Sequence, residues 1–552
     1  MKQQDTPFLP GRLKQINFEK IDECFSRKYL RRDVSEIAVY VAVLCYTAIF
    51  SYFTILKYNS FNAYAWDLGI FNQSLWTTLH GGKLFFSTVE QFINPSGVFF
   101  GIHFSPILFL VVPFYSLYSS PLTLLVFQSF ILALGAIPLY FFTKRVLNTR
   151  ITAVAFSLVY LLYPPLHGIN WFDFHVQAFL PLFFFCTIYF LSKENWVRYF
   201  FFLFLSLMVA ENVPILALFI GIYCFWLYRK QFINAIRKKT ISDRNVLIPP
   251  LTILVSLFWW FLALYIQQQY FPINPAYSRL YNAVDNWSVL GIQDNPITLP
   301  IYVVLNMGKG AVAFSYDLHL KLLYVFLLFG PLLFLSFRSL ITSITLAWFV
   351  PILLSNYPSY YTIGAHYPAY VIAFIFLGAV YGLKKSIRPR RFRSLKFYTK
   401  SLLLVGLLFA VFASPLSPLM TALNNAALFP DYRPPVITEH DKILQAIVDI
   451  VPRDASILTQ NNIFPHFSDR LNAYAYPVAL ILNRVPPDPM DKYLNETIQK
   501  SDFILVDTTT DPSSAAIISK ANAIGIYGVF ASADGIYLLK KDFQGNPVFH
   551  AP

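Results

Sequence analysis

Charged residues are scarce in this chain, and their scarcity excludes most soluble protein classes. Only 13% of the 552 residues are Asp, Glu, Lys or Arg, whereas a soluble domain carries roughly 25%. Hydrophobic residues reach 56% and the mean hydropathy is +0.52. So few charges cannot cover a soluble core of this size. The composition therefore predicts a polytopic membrane protein and excludes a disordered chain.

Cysteine is also scarce, with four residues in the whole chain. Cys24 lies in a basic N-terminal stretch, and the other three lie in apolar runs. This pattern excludes a disulfide-stapled secreted fold. The first 33 residues are polar, so we expect no cleavable signal peptide.

The net charge of +14 would suggest a nucleic-acid partner in a soluble protein. In a membrane protein it indicates topology instead, because basic residues collect on the cytoplasmic side. The apolar runs predict about eleven transmembrane helices, at about 20 residues per crossing. With the N-terminus inside, the cytoplasmic segments before residue 421 hold 28 of the 43 Lys and Arg. The sequence thus predicts a multi-pass protein of the cell membrane, with the N-terminus cytoplasmic and the C-terminus outside.

Three regions follow from this pattern. We predict a cytoplasmic basic tail at 1–34, an all-α transmembrane domain at 35–420 and a small extracytoplasmic α/β domain at 421–552. The last region opens with a Pro-rich linker, Phe429–Pro435. Its helix and strand signals are a helix-like run at 438–450, strands at 455–459 and 502–507, a helix at 513–523 and a hairpin turning at Asp534–Gly535.

Two segments of the transmembrane region are too short for an ordinary crossing. Residues 104–118 are apolar but only 15 long, so they predict an interfacial helix in the first outer loop. The 68–79 run is expected to be a second helix there. Residues 197–228 predict two short helical arms that turn at Glu211–Asn212, which places Glu211 below the outer surface.

Acidic and histidine side chains of the predicted outer loops are the candidate site, because ionisable groups near a membrane are costly and mark function. Asp67 is the first candidate, as a general base or a metal ligand. An alternative role for Asp67 is the N-cap of the helix that follows it. Glu211 is a second candidate acid, and its alternative is a hydrogen-bonded packing residue.

Asp173 and His175 form an Asp-x-His pair in the second outer loop. In an extended backbone both side chains would point to one side, which suits a divalent cation or phosphate oxygens. His103 precedes the interfacial helix and is expected to join them. The candidate substrate contacts are completed by His366, Tyr367 and Arg279, although an aromatic girdle and a solvated loop charge are the commoner roles of such residues.

Several short motifs resemble a family of predicted membrane proteins of unknown function, found mainly in archaea and bacteria. They are Trp66–Gln73, His103–Pro106, Gln128, Ile137–Tyr140, Asp173–His175, Glu211–Asn212, His366–Tyr367, Pro465–His466 and Leu505–Asp507. The resemblance spans nearly the whole chain. By fold, that family is grouped with the GT-C glycosyltransferases, such as protein mannosyltransferases and oligosaccharyltransferases.

The resemblance implies a first-loop acid that activates the acceptor or binds a metal, and by position this is Asp67. It also implies metal ligands in the second outer loop, which fall on Asp173 and His175. His175 stands where an acid is common in oligosaccharyltransferases, which leaves metal dependence open. The WWD-type signature of those enzymes is absent, since Trp259–Trp260 is followed by Phe261, and this disfavours en-bloc oligosaccharide transfer to protein.

The sequence therefore predicts an integral membrane glycosyltransferase of GT-C type. It would take a sugar from a polyprenyl-phosphate carrier and pass it to an unknown acceptor on the outer face of the membrane, with Mg²⁺ or Mn²⁺ as the candidate cofactor. Two alternatives stay open: a transporter or flippase of lipid-linked or small polar substrates, and a non-catalytic membrane scaffold.

Overall fold

The computed structural model describes residues 34–238, 243–292, 298–387, 392–417, 419, 432–547 and 549–550. Nearly all of the predicted tail 1–34 and the first part of the predicted linker lie outside these residues.

Helices dominate the described part of the chain before residue 420. In chain order they are α1 Val34–Asn59, α2 Ile70–Leu79, α3 Leu108–Tyr115, α4 Pro121–Leu134, α5 Ala136–Leu147, α6 Arg150–Leu161, α7 Pro164–Trp171, α8 Leu180–Ser192, α9 Trp196–Leu207, α10 Val213–Leu227, α11 Arg229–Lys238, α12 Ile248–Tyr270, α13 Ser278–Tyr281, α14 Leu299–Leu305, α15 Met307–Ser315, α16 Leu318–Phe329, α17 Leu346–Leu353, α18 Ile372–Ser386 and α19 Phe392–Ala413.

Among the described residues, four helical segments are long and apolar enough to cross a membrane, or up to seven if each of three bent pairs is one span. The four are Val34–Asn59, Pro121–Leu147, Arg244–Tyr270 and Ser394–Ala413. Large apolar side chains such as Leu254, Phe258 and Phe261 are exposed on α12, as expected of a surface that faces lipid. A multi-pass membrane protein is supported, and the eleven crossings stay a prediction.

The C-terminal region folds as the α/β pattern predicts. Its elements are α20 Glu439–Ile450, β1 Ile457–Thr459, β2 Ala473–Ala475, α21 Ala479–Leu482, α22 Pro487–Lys500, β3 Phe503–Asp507, α23 Ala515–Ile524, β4 Tyr527–Ala533, β5 Ile536–Lys541 and β6 Phe549–His550. The described strands form one sheet in the order β2-β1-β3-β5-β4-β6. β1 pairs in parallel with β2 and β3, and the hairpin of β4 and β5 turns at Asp534–Gly535, which confirms the predicted turn.

The predicted break in the 197–228 segment is confirmed. Helix α9 ends at Leu207 and α10 begins at Val213. Pro214 lies in the first turn of α10, where the missing backbone N–H of proline costs nothing. Glu211 therefore belongs to neither helix, and its side chain is free to face the loop between α2 and α3.

The C-terminal domain is docked on the segment between α1 and α3, residues 60–107, which includes α2. Gln73 is fully buried between them, and its Nε2 donates to the carbonyls of Arg470 at 3.0 Å and Ala473 at 3.2 Å. Its Oε1 accepts from Ser87 Oγ at 2.8 Å and from the Thr88 backbone N–H at 2.9 Å. One amide side chain therefore ties the loop, its own helix and the domain together.

Replacement of Gln73 by Ala should loosen this contact. The Arg470 carbonyl, the Thr88 N–H and the Ser87 hydroxyl would lose this partner, and each buried polar group left unpaired costs about 1–3 kcal/mol. We expect a clearly lower thermal unfolding midpoint in detergent for Gln73→Ala. Gln499→Ala, an exposed glutamine on α22, is the matched control, and equal midpoints for the two variants would contradict the predicted role of Gln73.

Candidate functional site

An ion pair between the end of α1 and the turn after α7 lies at the base of the site. Lys57 Nζ is 3.0 Å from Asp173 Oδ1 and 2.9 Å from the carbonyl oxygen of Trp171. The other Asp173 oxygen accepts from the Tyr64 backbone N–H at 2.9 Å. Both charged side chains are buried, so each needs the other to offset the loss of water. In the sequence, Lys57 carries no motif and is marked only as a basic residue at the end of the first apolar run.

The backbone at Asp173 differs from the extended conformation that the Asp-x-His pattern predicted. Asp173 has a φ of 67°, in the left-handed region, so its side chain and that of His175 do not share a side. Asp173 turns to Lys57, whereas His175 turns to Asp67. Gln128 holds this turn, because its Nε2 donates to the Asp173 carbonyl and its Oε1 accepts from the His175 N–H at 2.7 Å.

Asp67 and His175 form the central contact of the site. His175 Nε2 lies 3.2 Å from Asp67 Oδ1. A carboxylate only accepts hydrogen bonds, so the proton of a neutral His175 belongs on Nε2. The Asp67 side chain is 19% exposed, while that of His175 is buried. Asp67 is therefore the reachable group of the pair, and His175 holds it in position.

The capping role considered for Asp67 is wrong. The chain forms a π-helical turn at Ala65–Gly69 before α2, and Asp67 lies inside this turn. Neither Tyr64 nor Gly69, the residues that precede the two helical segments, makes a side-chain cap. The Asp67 carboxylate is thus not used to satisfy its own helix.

Two imidazoles stack behind Asp67. The rings of His175 and His366 are 4.1 Å apart and nearly parallel, and Phe172 contacts both. Burial lowers the pKa of His366 well below its ordinary value, and the nearby His175 and His103 lower it further. His366 is therefore neutral and packs against His175 and Phe172, and a substrate contact for it stays a prediction. The ring of Tyr367, the next residue, contacts that of His366 in a tilted arrangement, with the centroids 4.1 Å apart.

His103 and Glu211 form a second pair. His103 Nδ1 is 3.1 Å from Glu211 Oε1, and Glu211 Oε2 accepts from the Phe104 N–H at 3.0 Å. Burial opposes the charge on both groups, but their mutual attraction outweighs it: the pKa of His103 rises to about 8, and that of Glu211 falls below its ordinary value. His103 is 51% exposed, so the pair presents an accessible cation at neutral pH.

Glu90 also belongs to the site, although no sequence motif marks it. Its Oε2 is buried and, among the described residues, has no hydrogen-bond partner. Burial raises the pKa of Glu90 to about 7; the His103 charge opposes this and the Asp67 charge adds to it. Because the charges of His103 and Asp67 both act on Glu90, its carboxyl group lies near both of them. We call Asp67, Glu90, His103, His175, Glu211 and His366 the Asp67 site.

Arg279, predicted to contact substrate, forms an ion pair with Asp285 Oδ1 at 2.8 Å within its own loop. Tyr281 lies two residues further along the loop. Burial raises the pKa of its hydroxyl to about 12, and the nearby Glu211 carboxylate contributes to this rise. This loop thus approaches the Asp67 site through Tyr281, and a substrate role for Arg279 stays a prediction.

The predicted metal pair of Asp173 and His175 does not fit a divalent cation. Both Asp173 oxygens are already occupied, and the Lys57 ammonium beside them would repel a cation. In the part of the chain that is described, no group of three or more His, Cys, Asp or Glu side chains is arranged to hold a metal. The Mg²⁺ or Mn²⁺ expected from the sequence stays a prediction without a ligand role for Asp173.

The helices, the docked α/β domain and the ionisable groups at the helix ends together define a multi-pass membrane protein with a polar site. The family model described as "Predicted membrane protein (DUF2079)" matches residues 57–538. The chain belongs to this family, which confirms the resemblance of its motifs to predicted membrane proteins. No curated protein matches the chain.

Removal of Lys57 should destabilise the protein, because it leaves the Asp173 carboxylate buried without its partner. Breaking one side of a buried pair costs about 3–5 kcal/mol. We expect a strong loss of thermal stability for Lys57→Met and a partial recovery in Lys57→Met/Asp173→Asn, in which no buried charge remains. A double variant no more stable than Lys57→Met would contradict the pairing.

Proposed function

We propose that the protein is a membrane glycosyltransferase of GT-C type. It takes a sugar from a polyprenyl-phosphate carrier and passes it to an acceptor on the outer face of the membrane. The observation that carries the proposal is the occurrence of opposite chemistries around Glu90: a partly exposed carboxylate, Asp67, and an accessible imidazolium, His103, both act on this buried side chain. A displacement at a sugar needs a base for the acceptor and a cation for the leaving phosphate.

The reaction is a single displacement. The acceptor O–H or N–H attacks the anomeric carbon, the bond from this carbon to the phosphate oxygen breaks, and the acceptor proton passes to Asp67. The electron pair of the broken bond leaves with the carrier phosphate, whose charge is offset by His103. His175 orients Asp67, Glu211 orients His103, and neither needs to contact the sugar.

The finer topology belongs to the same proposal: about eleven spans, the N-terminus inside and the C-terminal domain outside. The segregation of charge supports it. Lys144 pairs with Glu36 at the start of α1, at 3.0 Å, so this basic loop lies at the end of α1 opposite Lys57. The Asp67 site lies at the Lys57 end, where the positive-inside rule places the exterior.

Asp67→Asn should abolish sugar transfer while leaving the fold intact. The amide keeps the shape of the carboxylate but cannot take up the acceptor proton, and loss of a general base lowers rates by about 10²–10⁴-fold. Purified protein incubated with labelled polyprenyl-phosphate sugars measures this. Asp491→Asn, an exposed carboxylate of the C-terminal domain that pairs with Lys520, is the control. Full transfer by Asp67→Asn would exclude Asp67 as the base.

Transfer should also fall as the pH rises through about 8. His103 is protonated below its raised pKa of about 8, so its cation is present at neutral pH and is lost above that value. His103→Gln should lower transfer at pH 7 and remove the alkaline fall. His319→Gln, an exposed histidine elsewhere, should keep it. An unchanged alkaline limb in His103→Gln would assign the pH dependence to another group.

Transport of a lipid-linked or polar substrate is the second candidate, and the bent helix pairs favour it. Arg150–Leu161 and Pro164–Trp171 meet at 41°, and Met307–Ser315 and Leu318–Leu332 meet at 73°. Broken helices are frequent at transporter binding sites. Counterflow of a labelled substrate in proteoliposomes, without formation of a glycosylated product, would favour transport over transfer.

A further inference from the structure

A cleft of about 780 Å³ separates the end of α1 from the C-terminal domain. It is lined by Tyr58 and Asn59 at the last turn of α1, by one face of α20 and by the 466–470 loop. No residue of the Asp67 site lines it. The cleft is large enough for a small ligand or a lipid head group, and no role proposed above uses it.

Arg470 is the principal cation of this cleft. The residue is 8% exposed, and its Nη1 donates to the carbonyls of Pro452 at 2.9 Å and Ala455 at 3.2 Å. Its Nε is buried and has no hydrogen-bond partner among the described residues. The nearest carboxylate oxygen, on Asp469, is 3.9 Å from Nε, too far for a hydrogen bond. A guanidinium with spare donors suits the oxygens of a phosphate.

Most other charges of the cleft are already satisfied within α20. Lys442 binds Glu439 at 2.6 Å, and Asp449 accepts from Gln445 at 2.8 Å. Asp441 closes the capping box at the start of this helix. Arg453 and Asp469 are the remaining charged side chains on the lining. A ligand that carries a phosphate and, beside it, an ammonium or hydroxyl group matches this pair of opposite charges.

The surroundings of the cleft indicate that such a ligand comes from the membrane. Tyr58 and Asn59 end the first span, so the cleft lies where lipid head groups begin. Val436 is 73% exposed, and its neighbour Ile437 is an exposed apolar residue on the lining. Tyr118, which lies near Tyr58, is exposed as well. Exposed apolar side chains around a polar cleft are typical of a membrane-contact surface.

We propose that this cleft is a second site, which binds the phosphate of a membrane lipid whose head group carries an ammonium or hydroxyl substituent. The phosphate binds Arg470 and Arg453, the substituent lies at Asp469, and the acyl or isoprenoid chain leaves past Ile437. The proposal does not depend on the chemistry at Asp67, since none of these residues takes part in it.

Binding of short-chain lipids to the full-length protein in detergent tests the proposal. The probes are a short-chain phosphatidylethanolamine, a short-chain isoprenoid phosphate, inorganic phosphate and a short-chain diacylglycerol without phosphate. We expect phosphatidylethanolamine, which carries both the phosphate and the ammonium, to bind most tightly, and diacylglycerol and inorganic phosphate to bind at least tenfold more weakly. Tighter binding of the isoprenoid phosphate, which has no such substituent, would contradict the proposed contact with Asp469.

Two variants separate binding from folding. Arg470→Lys keeps the charge but loses the guanidinium fork, and it should weaken lipid-phosphate binding about tenfold. The Arg453 side chain makes no hydrogen bond or ion pair among the described residues. Arg453→Gln should therefore weaken binding several-fold with an unchanged unfolding midpoint. Lys492→Gln, on the exposed face of α22, should bind as the wild type does.

Three results would overturn the proposal. One is binding of diacylglycerol as tight as that of the lipid phosphates, which would mean that the phosphate is not recognised. Another is equal affinity for inorganic phosphate and lipid phosphate, which would leave a soluble anion site. The third is wild-type affinity in Arg453→Gln together with wild-type affinity in a folded Arg470→Lys.

Discussion

The arrangement of the Asp67 site depends on one buried ion pair. Lys57 lies in the last turn of the first span, and its ammonium donates hydrogen bonds to both the Asp173 carboxylate and the Trp171 carbonyl. Asp173 in turn binds the backbone of Tyr64, the residue directly before the π-helical turn. One cation thus connects the first span, the turn that carries Asp67 and the turn that carries His175. A buried pair of this kind adds little net stability, but it fixes geometry because neither charge can be left alone.

Local structure was largely predictable from the sequence, since it follows from periodicity and turn residues. The break at Glu211–Asn212 and the hairpin at Asp534–Gly535 are both confirmed, because each carries its own local signal: a polar pair before a proline, and an Asp-Gly turn. The grouping of Asp67 and His175 was expected from their shared place in predicted outer loops, and they are in contact.

Which side chains pair with each other within the site was not predictable, because this depends on backbone conformation and on residues distant in sequence. The left-handed φ of Asp173 sends its carboxylate to Lys57 rather than toward a ligand shared with His175. Glu90 carries no motif, and only its burial beside His103 and Asp67 distinguishes it. The number of spans is a different case, since several apolar helices are short or bent and length alone does not decide whether each crosses.

The two pairs of the site differ because their surroundings differ. Asp67 faces the imidazole of His175, which is stacked on that of His366, and burial holds the pKa of His366 well below its ordinary value. His103 faces Glu211, a carboxylate that also accepts a backbone N–H, and this favours the imidazolium. In the proposed transfer, Asp67 takes up the acceptor proton and His103 offsets the charge of the leaving phosphate. Such separation of roles is typical of sites that break a bond to a charged leaving group.

The C-terminal domain is part of this arrangement rather than an appended module. The N–H of Ala65, at the start of the turn that carries Asp67, donates to Asn461 at 2.9 Å. Gly69 ends the same turn, and a Cβ there would lie 2.6 Å from the Phe464 ring, so the two segments approach as closely as the chain permits. The turn is thus held on one side by the domain and on the other by Asp173 and His175. Because Asp67 lies between these two supports, a movement of the domain relative to the helices would move the carboxylate as well.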